Sequence, residues 1–360
     1  ESARTILLGL NREWIKKQGD FFVESPINFV TAVIWYLRKY DNGRYCTLPH
    51  VIEMIQADYD ELFPVLNTEP EIQVLMNPFI TAYQNDAMEQ LEGQVASAKI
   101  VLSRLASPQL YWVLSGKDFK LDINNPEEPK IVCMGNNPEK QQIYGAVLSL
   151  YISRLVRIVN KKGQLPSSLV FDEFPTIFFN HMDSLIATAR SNRVATTLAM
   201  QDFSQLRKEA DVIVNITGNI LSGQVMGDTA KFLSERFGKI MQDRESLSIN
   251  RTDTSISKSS QLDFAIPASK ISSLSSGEFV GMVADDPHEK IKLKMFHCEI
   301  QNDTKKLNEE AKGFKPIPKV SDVTPQQVTD NYFQVKLDIR ALIEQEVYRL
   351  KMAREEIDEL

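Results

Sequence analysis

An α/β protein with a mostly parallel sheet, joined to an all-α region and a C-terminal helical tail, is what three features of this 360-residue sequence predict. From about residue 108, short apolar runs alternate with helical stretches, the pattern of strand–helix–strand units. Residues 1–107 instead carry apolar positions at helical spacing throughout. The third feature is Ser167-Ser168-Leu169-Val170-Phe171-Asp172-Glu173-Phe174-Pro175, an apolar run ending in two adjacent carboxylates. Read as a buried parallel strand, it delivers Asp172 and Glu173 to the carboxyl end of a sheet, where ligands of open α/β sheets bind. The plainer reading is a strand followed by a solvated Asp–Glu turn.

Within residues 1–107, Ile6, Leu7, Leu10 and Trp14 keep helical spacing, as do Phe29, Val33 and Leu37. The segment around 29–37 is apolar on most sides, which predicts a buried helix. Leu48-Pro49-His50-Val51-Ile52 reads as a helix entry, because proline suits a first turn. One longer helix is expected from about Asn77 to Ala106, carrying Phe79, Tyr83, Met88, Leu91, Val95 and Val101. Trp14, Phe21, Phe22, Trp35 and Tyr36 are expected in the core rather than on a base-stacking platform. His50 has no partner in the local sequence and is assigned no chemistry.

Residues 108–300 form the α/β unit. Lys130 to Gly135 reads as a strand, and Asn137-Pro138 as the cap and first turn of a helix running through Ile158 until Gly163 stops it. The acidic strand follows, then a short helix through Leu185 and Ile186, then the Val194–Met200 strand ending in Gln201-Asp202. Asn219 to Gly223 is a further strand, and a helix from about Asp228 to Phe237 is closed by Gly238. Met241 to Asp263 is rich in Ser, Thr, Asp and Lys without a periodic apolar face and is expected to be a mobile loop. Its Arg244, Arg251 and Lys258 are read as solvated rather than as phosphate contacts. Glu278–Asp285 and Lys290–Ile300 read as two strands joined by a turn at Asp286-Pro287-His288, a hairpin at the sheet's edge.

The tail, 301–360, opens as a charged linker through Pro316 and Pro318. Thr324-Pro325-Gln326-Gln327 is a capping-box-like start to a long helix marked by Val328, Tyr332, Val335, Ile339, Leu342, Val347, Leu350 and Ile357. Its apolar stripe must bury against its own domain, a neighbouring subunit or a secretion partner.

Composition bounds the function. A hydrophobic content of 43% and a charged content of 25% are those of a globular protein. The net charge of −7 argues against a general nucleic-acid coat but leaves room for a local basic channel. Cys46, Cys133 and Cys298 are far apart, with no metal-site spacing, and read as reduced thiols. No apolar run approaches the roughly 18 residues of a membrane span, and no signal peptide is present. The chain begins Glu-Ser-Ala-Arg without a methionine, so a longer parent is expected.

The chemistry-bearing residues converge on two strand ends. In nucleotide hydrolases the first acid of such a pair holds Mg²⁺ through water and the second polarises the attacking water. These are the roles open to Asp172 and Glu173. Gln201 ends the next strand. In P-loop ATPases that insert a strand beside the acidic one, a polar residue there senses the γ-phosphate or the attacking water. Arg190 lies on the helix-to-strand connection between them, and an arginine so placed commonly reaches into an adjacent subunit's site. Arg193 is the other candidate.

The set Leu-Val-Phe-Asp-Glu-Phe, Ala-Arg-Ser-Asn-Arg and Ala-Met-Gln-Asp-Phe-Ser-Gln-Leu resembles the conjugative coupling proteins of the TraG/TraD type, the motor ATPases of type IV secretion and DNA conjugation. The Asn219–Gly238 stretch, with its Gly-Asp-Thr-Ala helix opening, and Ile271-Ser-Ser-Leu-Ser-Ser-Gly-Glu-Phe extend the resemblance over roughly residues 1–300. The set is also similar to the mobilisation proteins of Bacteroides-type conjugative elements. The resemblance implies a RecA-like P-loop NTPase core over 108–300, an inserted all-α domain over 1–107, and a linker and helix over 301–360. It implies Asp172 as the acid for Mg²⁺, Glu173 as catalytic base, Gln201 as sensor, Arg190 as trans-acting finger, and Gln205 as an anchor for the turn after the sensor. It further implies ATP as cofactor and a homohexamer at the cytoplasmic face of the bacterial inner membrane. Its partners would be relaxase, single-stranded DNA and secretion components.

Two departures qualify this. No G-x-x-x-x-G-K-[ST] loop, the backbone cradle for phosphates, occurs in the sequence. In the family that loop and the membrane anchor precede the all-α domain, so these residues alone are expected to bind ATP weakly and not to hydrolyse it. The Arg207–Asp211 link is also shorter than the family's. An ATP-independent adaptor for relaxase or secretion proteins is the alternative that fits the missing loop. A DNA translocase of the chromosome-partitioning or packaging kind is the other.

Overall fold

The computed structural model describes residues 1–360 except 117, 177–181, 204–209, 251–252, 286–289, 292–293, 317–321 and 359–360. Seven helices come first: α1 (Ser2–Leu10), α2 (Phe21–Lys39), α3 (Leu48–Ile55), α4 (Tyr59–Leu66), α5 (Gln73–Gln84), α6 (Met88–Ser103) and α7 (Pro108–Ser115). Their starts are chemically marked. Asp20 accepts from the Phe22 N–H at 2.8 Å, Ser107 accepts from the Leu110 N–H at 3.3 Å, and Pro49 sits in the first turn of α3. Phe29, Val33 and Leu37 of α2 are fully buried at the centre of this bundle.

The second half contains α8 (Gln141–Val159), β1 (Ser167–Phe171), α9 (Met182–Thr188), β2 (Val194–Leu198), α10 (Ala210–Ile216), β3 (Ile220–Ser222) and α11 (Gly227–Phe237). It continues through β4 (Lys239–Asn250), β5 (Asp253–Phe264), α12 (Ala268–Ser272), β6 (Glu278–Met282) and β7 (Met295–Glu299). It ends with α13 (Thr304–Lys312) and α14 (Pro325–Asp358). Three separate sheets are present among the described residues: β1–β2, β3–β6–β7 and β4–β5. β1 and β2 are parallel, with Ser167 opposite Val194 and Phe171 opposite Leu198. The other pairings are antiparallel.

Among the described residues, buried side chains gather in three clusters. The largest joins α1–α7 to Ala146 and Val147 of α8 and to Val335, Ile339, Leu342 and Ile343 of α14. Here α1 lies close on α8: a β-carbon on Gly9 would stand 3.2 Å from Ala146 Cα and Cβ, so a larger residue there would push the two helices apart by a few tenths of an ångström. The second cluster packs α8 (Ile152, Val159), β1 (Leu169, Phe171) and α9 (Leu185) together. The third holds Leu233 and Phe237 of α11 against Ile271 and Val280. Only one face of β1 enters a cluster; Val170 on the other face is 68% exposed. Parallel strands are ordinarily covered on both faces.

The tail helix is tied to the bundle rather than free. The Thr324 N–H donates to Gln327 Oε1 at 2.9 Å and the Gln327 N–H to Thr324 Oγ at 3.2 Å, the reciprocal capping box expected from the sequence. α14 then packs along α7, α3 and α4.

Several expectations are corrected. Residues 130–135 form no strand: Ile131 is 97% exposed, and no pairing partner is present among the described residues, so the apolar run lacks the ladder that would make it a strand. The helix expected over 77–106 is two helices, α5 and α6, broken where Asp86 adopts φ 55°, a conformation that ends helical progression. The expected loop at 241–263 is a long antiparallel hairpin, with Met241 opposite Leu262 and Leu247 opposite Ile256. It lacks a 3.6-residue period because its period is two. Among the aromatics assigned to the core, Tyr36 is buried, but Phe21, Phe22 and Trp35 are 53%, 62% and 44% exposed. The Trp35 indole N–H instead donates to Glu71 at 3.0 Å. The linker after residue 301 contains α13, capped by Asp303 accepting from the Lys306 N–H at 3.1 Å. The turn expected at Asp286–His288 lies outside the described residues.

Candidate functional site at the ends of two parallel strands

The acidic strand is seated by a buried amide. Asn124, 2% exposed, donates from Nδ2 to the Val159 carbonyl at 2.9 Å and the Leu165 carbonyl at 3.3 Å. The Asn124 backbone carbonyl also accepts from the Leu165 N–H at 2.9 Å. One side chain thus closes the end of α8 and fixes the entry to β1. Leu169 and Phe171 then anchor β1 on α8 and α9, and the Ala199 N–H donates to the Phe171 carbonyl at 2.9 Å. The chain is held in register up to the first carboxylate.

Beyond β1 the backbone turns sharply. Glu173 adopts φ 52°, a left-handed conformation that costs a non-glycine residue on the order of 1 kcal/mol. Three bonds hold it there. The Glu173 N–H donates to Asp172 Oδ1 at 3.0 Å. The Thr176 N–H donates to the Glu173 carbonyl at 2.9 Å, and the Phe174 N–H to the Ala199 carbonyl at 3.0 Å. The turn exposes both carboxylates while Phe174 folds back into the second cluster.

Gln201, three residues beyond β2, completes the pair of strand ends. Its Nε2 donates to Glu173 Oε1 at 2.9 Å, so the two residues meet side by side at the carboxyl edge. The segment after Gln201 is anchored on α11: the Thr229 hydroxyl donates to Asp202 Oδ1 at 3.2 Å, and the Phe203 and Phe232 rings stack at 4.8 Å. Gln205 lies outside the described residues.

Arg190 stands elsewhere. It belongs to a short 3₁₀ turn, Ala189–Asn192, that precedes β2, and it is exposed. Arg193, at φ 56°, follows it, and its carbonyl accepts from the Ser167 N–H at 3.1 Å. Both arginines are therefore at the amino ends of β1 and β2. A five-residue strand, about 17 Å long, separates them from the acids. Among the described residues no hydrogen bond or ion pair joins Arg190 to Asp172, Glu173 or Gln201, and no cluster of three or more His, Cys, Asp or Glu side chains could hold a metal ion directly. The donor set fits a divalent cation held through water by one carboxylate, and it contains no cradle for phosphates.

Asn124, Thr229 and Phe232 escape sequence reasoning. Asn124 carries no local signal, since its acceptors lie 35 and 41 residues away. Thr229 had one, the Gly-Asp-Thr-Ala opening of its helix.

A family model described as type IV secretory system conjugative DNA transfer matches residues 5–264. Comparison with curated protein sequences finds no match. The chain is similar to the unbound bacterial conjugative coupling protein TrwBΔN70, with a TM-score of 0.60 and 11% identity over 83% of this chain and 67% of that one. It is similar to plasmid coupling protein TrwB with the non-hydrolysable ATP analogue ADPNP, at TM-score 0.59 and 12% identity, covering 83% and 68%. TrwB with ADP and Mg²⁺ gives 0.58 and 12%, covering 83% and 67%. At such identities the likeness is one of fold, the RecA-like nucleotide-binding fold. The family match spans most of the chain, and the protein belongs to the conjugative DNA-transfer family of the type IV secretory system.

Proposed function

We propose that this chain carries the acid pair and sensor of an ATP-driven coupling motor that links a relaxase–DNA complex to a type IV secretion channel and pumps single-stranded DNA. The observation that carries the reading is the Gln201–Glu173 bond at the carboxyl ends of adjacent parallel strands. TrwB, solved with ADPNP and with ADP and Mg²⁺, supports ATP and Mg²⁺ as cofactors.

In this reading Asp172 would hold Mg²⁺ through water, and the ion would supply charge screening for the phosphates. Glu173 accepts a proton from the attacking water, and Gln201 orients that water through its amide while fixing the Glu173 carboxylate. Arg190, displaced from the acids by the length of the strands, acts on the site of a neighbouring subunit, which calls for a ring, here a homohexamer. The phosphate cradle comes from polypeptide other than these residues. The bare face of β1 around Val170 fits such an addition. Division into an all-α domain over 1–107, a RecA-like part over 108–300 and a tail over 301–360 follows the same reading, with the all-α domain recognising the DNA-processing complex at the cytoplasmic face of the inner membrane. Among the described residues no helix is long and apolar enough to cross a membrane.

The test is nucleotide turnover by the parent protein with Glu173 intact and with Glu173→Gln. Turnover lost on substitution while nucleotide binding persists supports the motor. A parent that binds relaxase but neither binds nor hydrolyses ATP would instead favour an ATP-independent adaptor. Turnover by residues 1–360 alone, abolished by Glu173→Gln, would refute the assignment of half a site to this chain.

A further inference from the structure

We propose that the outward face of α14 is the contact surface for a second copy of this chain, packed antiparallel about a two-fold axis. α14 has two apolar stripes. The inner one, Val335, Ile339, Leu342 and Ile343, is buried on the bundle. The outer one, Phe333, Leu337, Tyr348 and Met352, is exposed by 57%, 57%, 63% and 37%. At about 100° per residue the outer four fall within an arc of about 100°, opposite the buried stripe. A helix already anchored on its inner side has no need of these side chains for its own packing.

The order of residues along the outer stripe selects the occupant. Phe333 and Met352 stand at its ends, Leu337 and Tyr348 inside them, and Arg340 and Glu344 at the centre. Antiparallel packing about an axis between residues 342 and 343 sets Phe333 against Met352 of the second copy and Leu337 against its Tyr348. It also brings Arg340 of each copy beside Glu344 of the other. Within one helix Arg340 Nε already lies 3.1 Å from Glu344 Oε1, so the interface closes into an alternating four-charge cluster. Parallel packing would set Arg340 against Arg340 and Glu344 against Glu344. A face complementary to itself under a two-fold rotation is the mark of an isologous contact. The stripe runs about 28 Å along the helix. Two such faces bury on the order of 1,000 Å², the small end for specific interfaces, so the contact is a weak one, to be sought at protein concentrations of about 10–100 µM.

Sedimentation equilibrium on the 360-residue chain, at concentrations bracketing that range, tests the proposal. Arg340→Glu and Glu344→Arg should each weaken the dimer at least about tenfold, because each places like charges together twice. Both residues are exposed, so circular dichroism should remain that of the parent. An equimolar mixture of the two variants should recover association as a heterodimer, and the double variant Arg340→Glu/Glu344→Arg should recover the homodimer. Leu337→Ser should weaken association without unfolding α14. A chain that stays monomeric throughout overturns the proposal, as does self-association insensitive to the charge reversals. Failure of the mixture to recover overturns the antiparallel register.

Discussion

Gln201 donates to Glu173 at 2.9 Å across the ends of two parallel strands, and both side chains are exposed. An exposed neutral-to-charged hydrogen bond adds little to folding, because water replaces it. The bond fixes geometry more than it supplies stability. Gln201→Ala should therefore shift stability by less than about 0.5 kcal/mol, while turnover of the parent motor falls roughly 10²–10³-fold. Chemical denaturation of the chain and steady-state turnover of the parent separate the two effects.

The φ of 52° at Glu173 predicts that the protein carries strain where the second carboxylate projects. Glu173→Gly removes the β-carbon that disfavours this conformation, so the denaturation midpoint should rise, by about 1 kcal/mol in stability at most. Glu173→Ala keeps the strain and should not gain. The same glycine variant of the parent should lose turnover, the expected exchange between stability and activity at a functional turn.

Asn124 predicts the opposite balance. It is buried and bonded to two carbonyls that no other side chain reaches among the described residues. Asn124→Ala leaves those acceptors without a partner and opens a small void, costing roughly 2–3 kcal/mol. Hydrogen exchange should accelerate first at Leu165 and along β1, since the entry to the strand loses its clamp.

What could be read in advance follows from the range of each interaction. Asp172, Glu173 and Gln201 stand out because a short apolar run ending in polar residues is local information, and so is the Thr324–Gln327 cap. β4 and β5 are not legible in the sequence because a Ser- and Thr-rich hairpin has no helical period, and its alternation gains meaning only once Met241 faces Leu262. The segment around Ile131 misleads for the converse reason: local strand character without a neighbour to pair with. His50 has a local partner in the Thr47 hydroxyl three residues before it, but its carboxylate partner, Asp338, lies 288 positions away.

That partner makes the tail helix sensitive to acid. His50 is buried, with Nδ1 2.6 Å from the Thr47 hydroxyl, Nε2 3.4 Å from Asp338 of α14, and the Tyr45 ring 5.2 Å away. Burial pushes its pKa below the ordinary histidine value, and Asp338 and Glu53 only partly offset this. Glu53 also receives the Tyr111 hydroxyl at 2.6 Å and lies 3.8 Å from Lys336, so its charge is shared. A depressed folded-state pKa means that above roughly pH 6.5 His50 is neutral whether α14 is docked or not. As pH falls below that value, the opened state takes up a proton that the docked state resists, and stability is lost. Protection of the 328–343 amides against hydrogen exchange, taken relative to the intrinsic exchange rate at each pH, should therefore fall between about pH 7 and pH 5. Asp338→Asn removes the compensating charge and should steepen the dependence, whereas His50→Gln should flatten it. An α14 whose protection is the same at both pH values in the parent chain would show that Asp338 offsets the burial of His50 in full.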